Sequence, residues 1–110
     1  MTNIPGNDEL DILHRHICQA LADPKRIQII YALAEKPRHV TALAEHLGFP
    51  QPTVSRHLRV LLQRGLVQTT RNGPAVVYEL SDHRLVEILD IMRSLLKDVV
   101  ERQSNALLPR

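Results

Sequence analysis

Apolar positions along this chain recur mostly at helical spacing, and they predict five helices interrupted by one short hairpin. From Asp8 onward Leu10, Leu13, Ile17 and Leu21 fall on one stripe. Asp23-Pro24 then ends that helix and starts another, with Asp as N-cap and Pro at the first helical position, where its missing N–H costs nothing. The second helix turns Ile27, Ile30, Tyr31 and Ala34 inward and ends by Pro37. Thr41 caps a short third helix that buries Leu43, Ala44 and Leu47, and Gly48 is the residue type expected just past its end. Beyond a fourth helix, Leu66–Arg71 and Val76–Leu80 read as strands joined at Asn72-Gly73, with Pro74 expected to keep the tip out of regular pairing. Ser81 or Asp82 caps a long last helix, on which Leu85, Ile88, Leu89, Met92, Leu95, Leu96, Val99 and Val100 make one apolar stripe. That is more apolar surface than a small domain needs to cover its own core. It is expected to meet a second copy of the chain, the first and last helices together forming a homodimer; the alternative is that it folds back over its own core.

The fourth helix, residues 51–64, carries the candidate chemistry. Val54, Leu58 and Leu61 share one stripe, while Arg56, Arg59 and Gln63 point the opposite way with Thr53 and Ser55 to either side. Gln, Thr, Ser and Arg are side chains that hydrogen-bond base edges and phosphates. From His46 to Tyr78 there is no Asp or Glu, whereas Arg56, Arg59, Arg64 and Arg71 all fall there. The acids collect elsewhere, at Asp8, Glu9, Asp11 and Asp23 and then from Glu79 onward. A solubilising face mixes both signs; an acid-free cationic face suits a polyanion. Helix, glycine-containing turn, helix and hairpin together predict a winged helix-turn-helix: a mainly α fold with a small β-hairpin wing. The candidate DNA-binding residues are Gln51, Thr53, Ser55, Arg56 and Arg59 on the reader helix, with Arg71 and Asn72 at the wing tip. A solvated arginine-rich face without a partner is the alternative.

Composition narrows the picture further. The chain has 110 residues and a formal net charge of only +2, so local rather than total charge argues for a nucleic-acid partner. The domain is expected over residues 8–102, between a flexible N-terminus (1–7) and a flexible tail (103–110). Aromatic residues are three, Tyr31, Phe49 and Tyr78, too few for the stacking platforms of single-strand and RNA binders. Cys18 is the single cysteine, so no internal disulfide forms. With no basic-then-apolar leader and no run approaching the roughly 20 apolar residues that span a bilayer, a cytoplasmic protein without membrane contact is expected. An enzyme is not: the chain has no Gly-rich phosphate loop, no nucleophile–base pairing with an orienting acid and no paired carboxylates in a recognisable frame.

Four segments, Ala20-Leu-Ala-Asp-Pro-Lys-Arg26-Ile27, Leu43-Ala44-Glu-His-Leu47-Gly48, Gln51-Pro-Thr-Val-Ser55-Arg56-His57-Leu58 and Gly65-Leu66-Val67, together resemble the ArsR/SmtB repressors over roughly residues 10–100. The resemblance implies a winged-helix protein dimerised through its first and last helices. Such a protein grips a palindromic operator in double-stranded DNA, and a metal ion or oxidant loosens that grip. The family's sensing residues do not carry over. Where many members place a Cys-x-Cys pair this chain has His39 and Thr41, which lack the thiolates a soft ion prefers. The zinc frame of the last helix maps onto Asp82, Arg84, Leu95 and Asp98, two carboxylates where about four ligands are needed. No cofactor is certain from these residues: the family's usual ligand sets are incomplete, and the signal left open is a metal at another site, an oxidant at Cys18, or none sensed directly. His14 and Cys18, four apart on the first helix, are the candidate sensor pair; the simpler account makes Cys18 a small hydrophobe and His14 an interface residue. The expectation is a dimeric, sequence-specific transcriptional repressor. The alternative is a winged-helix module that dimerises or binds protein without touching DNA.

Overall fold

The computed structural model describes residues 3–107. Its elements are α1 (Asn7–Leu13), a π-helical turn (His14–Cys18), α2 (Pro24–Glu35), α3 (Val40–Leu47), α4 (Gln51–Gln63), β1 (Val67–Asn72), β2 (Ala75–Leu80) and α5 (Arg84–Leu107). The fold is the expected one, five helices and a two-stranded antiparallel wing. Its core is made by Ile29, Ile30 and Leu33 of α2, Leu43 of α3, Val54, Leu58 and Leu61 of α4 and Val67 of β1, each at most 2% exposed. The valine and leucines of α4 are therefore the buried stripe its spacing predicts, and they turn its arginine side outward.

Several boundaries differ from the pattern, each for a local reason. The first helix is not continuous to Ala22. An extra residue enters at His14–Cys18, where the Gln19 N–H donates to the His14 carbonyl at 2.8 Å. No side chain of α1 is buried; Leu10, Ile12 and Leu13 are 38, 51 and 42% exposed. Their stripe faces away from this protomer's core. In α2 Asp23 caps as expected, its Oδ1 accepting the Lys25 N–H at 2.8 Å. The side α2 buries, however, is Ile29, Ile30, Ala32 and Leu33, with Ile27, Tyr31 and Ala34 only half-buried. Packed against α3, α4, α5 and β2 at once, α2 hides a wider face than one periodic stripe defines. Thr41 is not a cap. Arg38 and Tyr78 exchange both backbone hydrogen bonds, at 3.0 and 2.8 Å, which holds the chain extended up to His39; α3 starts directly afterwards at Val40.

The hairpin is tighter than expected. Pairing runs from Val67↔Leu80 to Asn72↔Ala75, so the loop is Gly73-Pro74 and Pro74 does not keep the tip unpaired. Gly73 supplies the positive φ (+66°) that a two-residue hairpin turn requires, and Pro74 sits where no ladder N–H is needed. At the start of α5 the capping side chain is Asp82, whose Oδ1 accepts the Arg84 N–H at 2.9 Å. The helix then runs to Leu107, five residues past the expected edge of the domain. Residues 3–6 carry no regular structure, while residues 1–2 and 108–110, parts of the expected flexible ends, lie outside the described residues.

Only the N-terminal half of α5 joins the core, through Leu85 and Leu89 at 5 and 2% exposure. Ile91, Met92, Leu95, Leu96 and Val100 stay open at 49 to 69%. With α1 and the end of α5 projecting, the Cα radius of gyration is 17.3 Å, against about 13 Å for a compact chain of this length. Among the described residues no helix is long and apolar enough to cross a membrane.

Candidate nucleic-acid interface

α3, the turn at Gly48 and α4 form the helix-turn-helix. Gly48 is left-handed, with φ +71°, and its N–H and that of Phe49 close onto the carbonyls of Glu45 and Ala44. That backbone bends the chain so that α4 crosses α3 with its apolar stripe inward. The α4 N-terminus has no side-chain cap: Pro50 precedes it, and Pro52 in its first turn carries no N–H. The N–H groups of Thr53 and Val54 donate to the Pro50 carbonyl at 3.1 and 3.2 Å, so among the leading donors the Gln51 N–H is the one left for an outside acceptor. Gln51, Arg56 and Arg59 are exposed and Thr53 and Ser55 half-exposed, so the five reader-helix candidates share one accessible surface. None makes a side-chain hydrogen bond or ion pair with the body of the protein among the described residues. Arg71 and Asn72 are exposed at the hairpin tip, opposite Val76 and Ala75. The wing's own acid, Glu79, is occupied along the strands. It accepts from Gln68 Nε2 at 3.0 Å and Thr70 Oγ1 at 3.3 Å, at the end of the hairpin away from Arg71.

His57 sits on the flank of α4, half-buried, where its Nδ1 lies 3.3 Å from Arg26 Nη1. Burial holds its pKa below the usual histidine value, with Arg26, Arg56 and Lys25 adding to the effect and Asp23 opposing it. The ring is a packing contact of the reader helix. Periodicity does not identify Arg26, its partner across 31 residues, because nothing local marks a contact so distant. The bridge from Arg38 to Tyr78, which ties the wing to the segment before α3, is likewise invisible to local pattern.

His14 and Cys18 are exposed on the π-helical turn, apart from α4 and the wing. Among the described residues no three His, Cys, Asp or Glu gather closely enough to hold a metal ion. Asp82, of the family's zinc frame, is engaged with Arg84 at 2.8 Å, which holds its carboxyl at about 2.

Residues 23–69 match the family model described as "Bacterial regulatory protein, arsR family". The HTH-type transcriptional repressor SmtB of Mycobacterium tuberculosis is 44% identical over 73 residues, 66% of this chain and 54% of that one. An HTH-type transcriptional regulator of Methanocaldococcus jannaschii is 35% identical over 80 residues, 72% of this chain and 90% of that one. In solution the winged helix-turn-helix DNA-binding domain of a possible ArsR-family regulator from Mycobacterium bovis is homodimeric. It superposes with a TM-score of 0.73 at 27% identity, covering 89% of this chain and 92% of that one. The chain spans 54 to 65% of the length of the mycobacterial relatives SmtB, NmtR and KmtR. The matched segment holds α2, α3, α4 and the start of the wing, the elements that build the helix-turn-helix and present its arginine face, and the likeness of fold extends over most of the remainder. On these grounds this chain belongs to the ArsR family of bacterial regulatory proteins.

Proposed function

We propose that the protein is a homodimeric, sequence-specific DNA-binding transcriptional regulator, a repressor whose hold on its operator a chemical signal relaxes. One observation carries the reading: α4 presents an exposed side of Gln51, Thr53, Ser55, Arg56 and Arg59 with no acid in its sequence neighbourhood and no internal partner. In a major groove that side reads base edges while the Gln51 N–H and the arginines take phosphates. The wing brings Arg71 and Asn72 to the adjoining backbone or minor groove. The open apolar faces of α1 and α5 supply the dimer contact, and a twofold axis between two reader helices asks for a palindrome with half-sites about 34 Å apart. This is a binding protein of the cytoplasm, with no reaction assigned to it. The names of its relatives as repressors and regulators support the role, and the homodimeric M. bovis domain supports the assembly.

The test is a mobility-shift measurement on duplexes selected from a random pool. Arg56→Ala should weaken the selected duplex by about tenfold or more, the usual worth of a base-contacting arginine, with the melting temperature unchanged. Unaltered affinity would remove Arg56 from the interface. The other reading, a protein-interaction module, is separated cheaply by heparin chromatography: a DNA-binding face is retained and elutes with salt.

A further inference from the structure

We infer that Arg26 is a positioning residue for DNA recognition, fastening the reader helix to the end of the first helical segment through His57; the inference rests on the DNA-binding reading above. Three groups converge on this one guanidinium. Its Nε donates to the Ala20 carbonyl at 2.7 Å and its Nη2 to the Gln19 carbonyl at 3.1 Å, while Nη1 faces His57 Nδ1 at 3.3 Å. Gln19 and Ala20 directly follow the π-helical turn, and His57 is the neighbour of Arg56 on α4. A single side chain thus spans from the chain that leaves α1 to the helix offered to DNA.

The chemistry of the contact fixes the state of the ring. Guanidinium only donates, so His57 Nδ1 must accept with its lone pair and the ring proton must sit on Nε2. A second proton would remove that acceptor and set imidazolium against Arg26. The charged groups acting on the ring are Asp23, Lys25 and Arg26 from the α2 side and Arg56 from α4; burial, Arg26, Arg56 and Lys25 disfavour protonation, and Asp23 favours it. Lysine cannot replace the arginine, because a single ammonium does not present a planar fork to two carbonyls and a ring nitrogen together. Because His57 lies one residue from Arg56 and two from Arg59, rotation of α4 about its axis breaks this contact as it displaces both arginines.

Two readouts on the full chain test the inference. Imidazole nitrogen NMR without DNA should find His57 with its proton on Nε2, and Arg26→Lys should erase that tautomer preference. For the selected duplex, Arg26→Lys should bind on the order of tenfold more weakly at neutral pH. In His57→Asn the Oδ1 takes over the accepting role of Nδ1 and does not titrate, so neutral-pH affinity should match wild type. On acidification wild type should lose several-fold in affinity relative to His57→Asn, since the five other histidines are common to both. If His57 merely added positive charge near DNA, wild type would instead gain on His57→Asn in acid, and the inference falls. It falls as well if Arg26→Lys binds like wild type. Should Arg26→Lys fail to fold, the comparison of wild type with His57→Asn decides alone. A wild-type chain that binds no duplex overturns the DNA-binding reading and this one with it; wild-type binding with an unaltered Arg26→Lys overturns this one only.

Discussion

Replacing Leu96 by serine tests the homodimer, because Leu96 does little for the protomer. It is 61% exposed and lies beyond the part of α5 that joins the core. Full burial of a leucine side chain is worth roughly 1.5–3 kcal/mol, so about three-fifths of that, roughly 1–2 kcal/mol, is available when a partner covers it. A twofold interface uses each residue twice, which makes the loss roughly 2–4 kcal/mol per dimer. In Leu96→Ser the dimer dissociation constant should therefore rise from about thirtyfold to several hundredfold. Sedimentation equilibrium over a dilution series reads that constant directly, and circular dichroism of the dissociated species reports whether the protomer remains helical. DNA affinity should fall in parallel, since the second reader helix is then no longer tethered beside the first. A dissociation constant within threefold of wild type would refute the reasoning and place the partner-facing surface elsewhere.

Other perturbations probe other parts of the structure. Arg59→Ala should weaken binding to all duplexes alike and reduce the salt dependence of log K by about one unit per site, as expected for one lost phosphate contact; an unchanged slope would place Arg59 off the backbone. Gly48→Ala should destabilise the fold by roughly 1–2 kcal/mol in denaturant titration. A Cβ there meets nothing within 4 Å, so the cost is that of the left-handed backbone at φ +71°. Asp82 is a test of acid sensitivity. Arg84, through side-chain and then backbone hydrogen bonds, lowers its pKa from 3.8 to about 2, so the unfolded chain takes up the proton first. Its contribution is complete above pH 3.8 and drains away as pH falls towards 2; the melting-temperature gap between wild type and Asp82→Asn should close over that window.

Where the buried positions of an element kept to one narrow stripe, local pattern was enough. The stripe Val54, Leu58, Leu61 is buried as its spacing requires, and Asp23-Pro24 starts α2 with the expected cap. Where a distant segment reset a helix boundary or widened a buried face, pattern failed. Thr41 loses the cap because Tyr78, 37 residues later in the chain, pins Arg38 in an extended conformation. The stripe of α2 is broadened by four neighbours that no periodicity enumerates. In the first helix the apolar spacing was real, but the inserted residue at His14–Cys18 and the exposed Leu10, Ile12 and Leu13 turn it outward. The candidate site divides in the same way. The arginine side of α4 follows from charge and period alone, whereas the Arg26–His57 contact exists only once α2 and α4 have packed.

The two open surfaces of the molecule differ in kind, and that difference explains why so small a net charge suits the proposed role. The reader side is cationic and hydrogen-bonding; the α1 and α5 faces are apolar, with acids such as Asp8, Glu9 and Asp11 interspersed on α1. Strong positive charge spread over the whole chain would bind any duplex anywhere, and it would oppose the meeting of two protomers. Acid-free positive charge on α4 and the wing tip, with cations and acids mixed on α5, leaves the apolar faces free to associate. Each protomer then contributes one short reader helix, and sequence discrimination comes from reading two half-sites at a fixed spacing. A signal that alters the dimer contact has to reach α4 through the protein. Arg26, bonded to the Gln19 and Ala20 carbonyls on one side and facing His57 on the other, joins the segment that follows the first helix to α4.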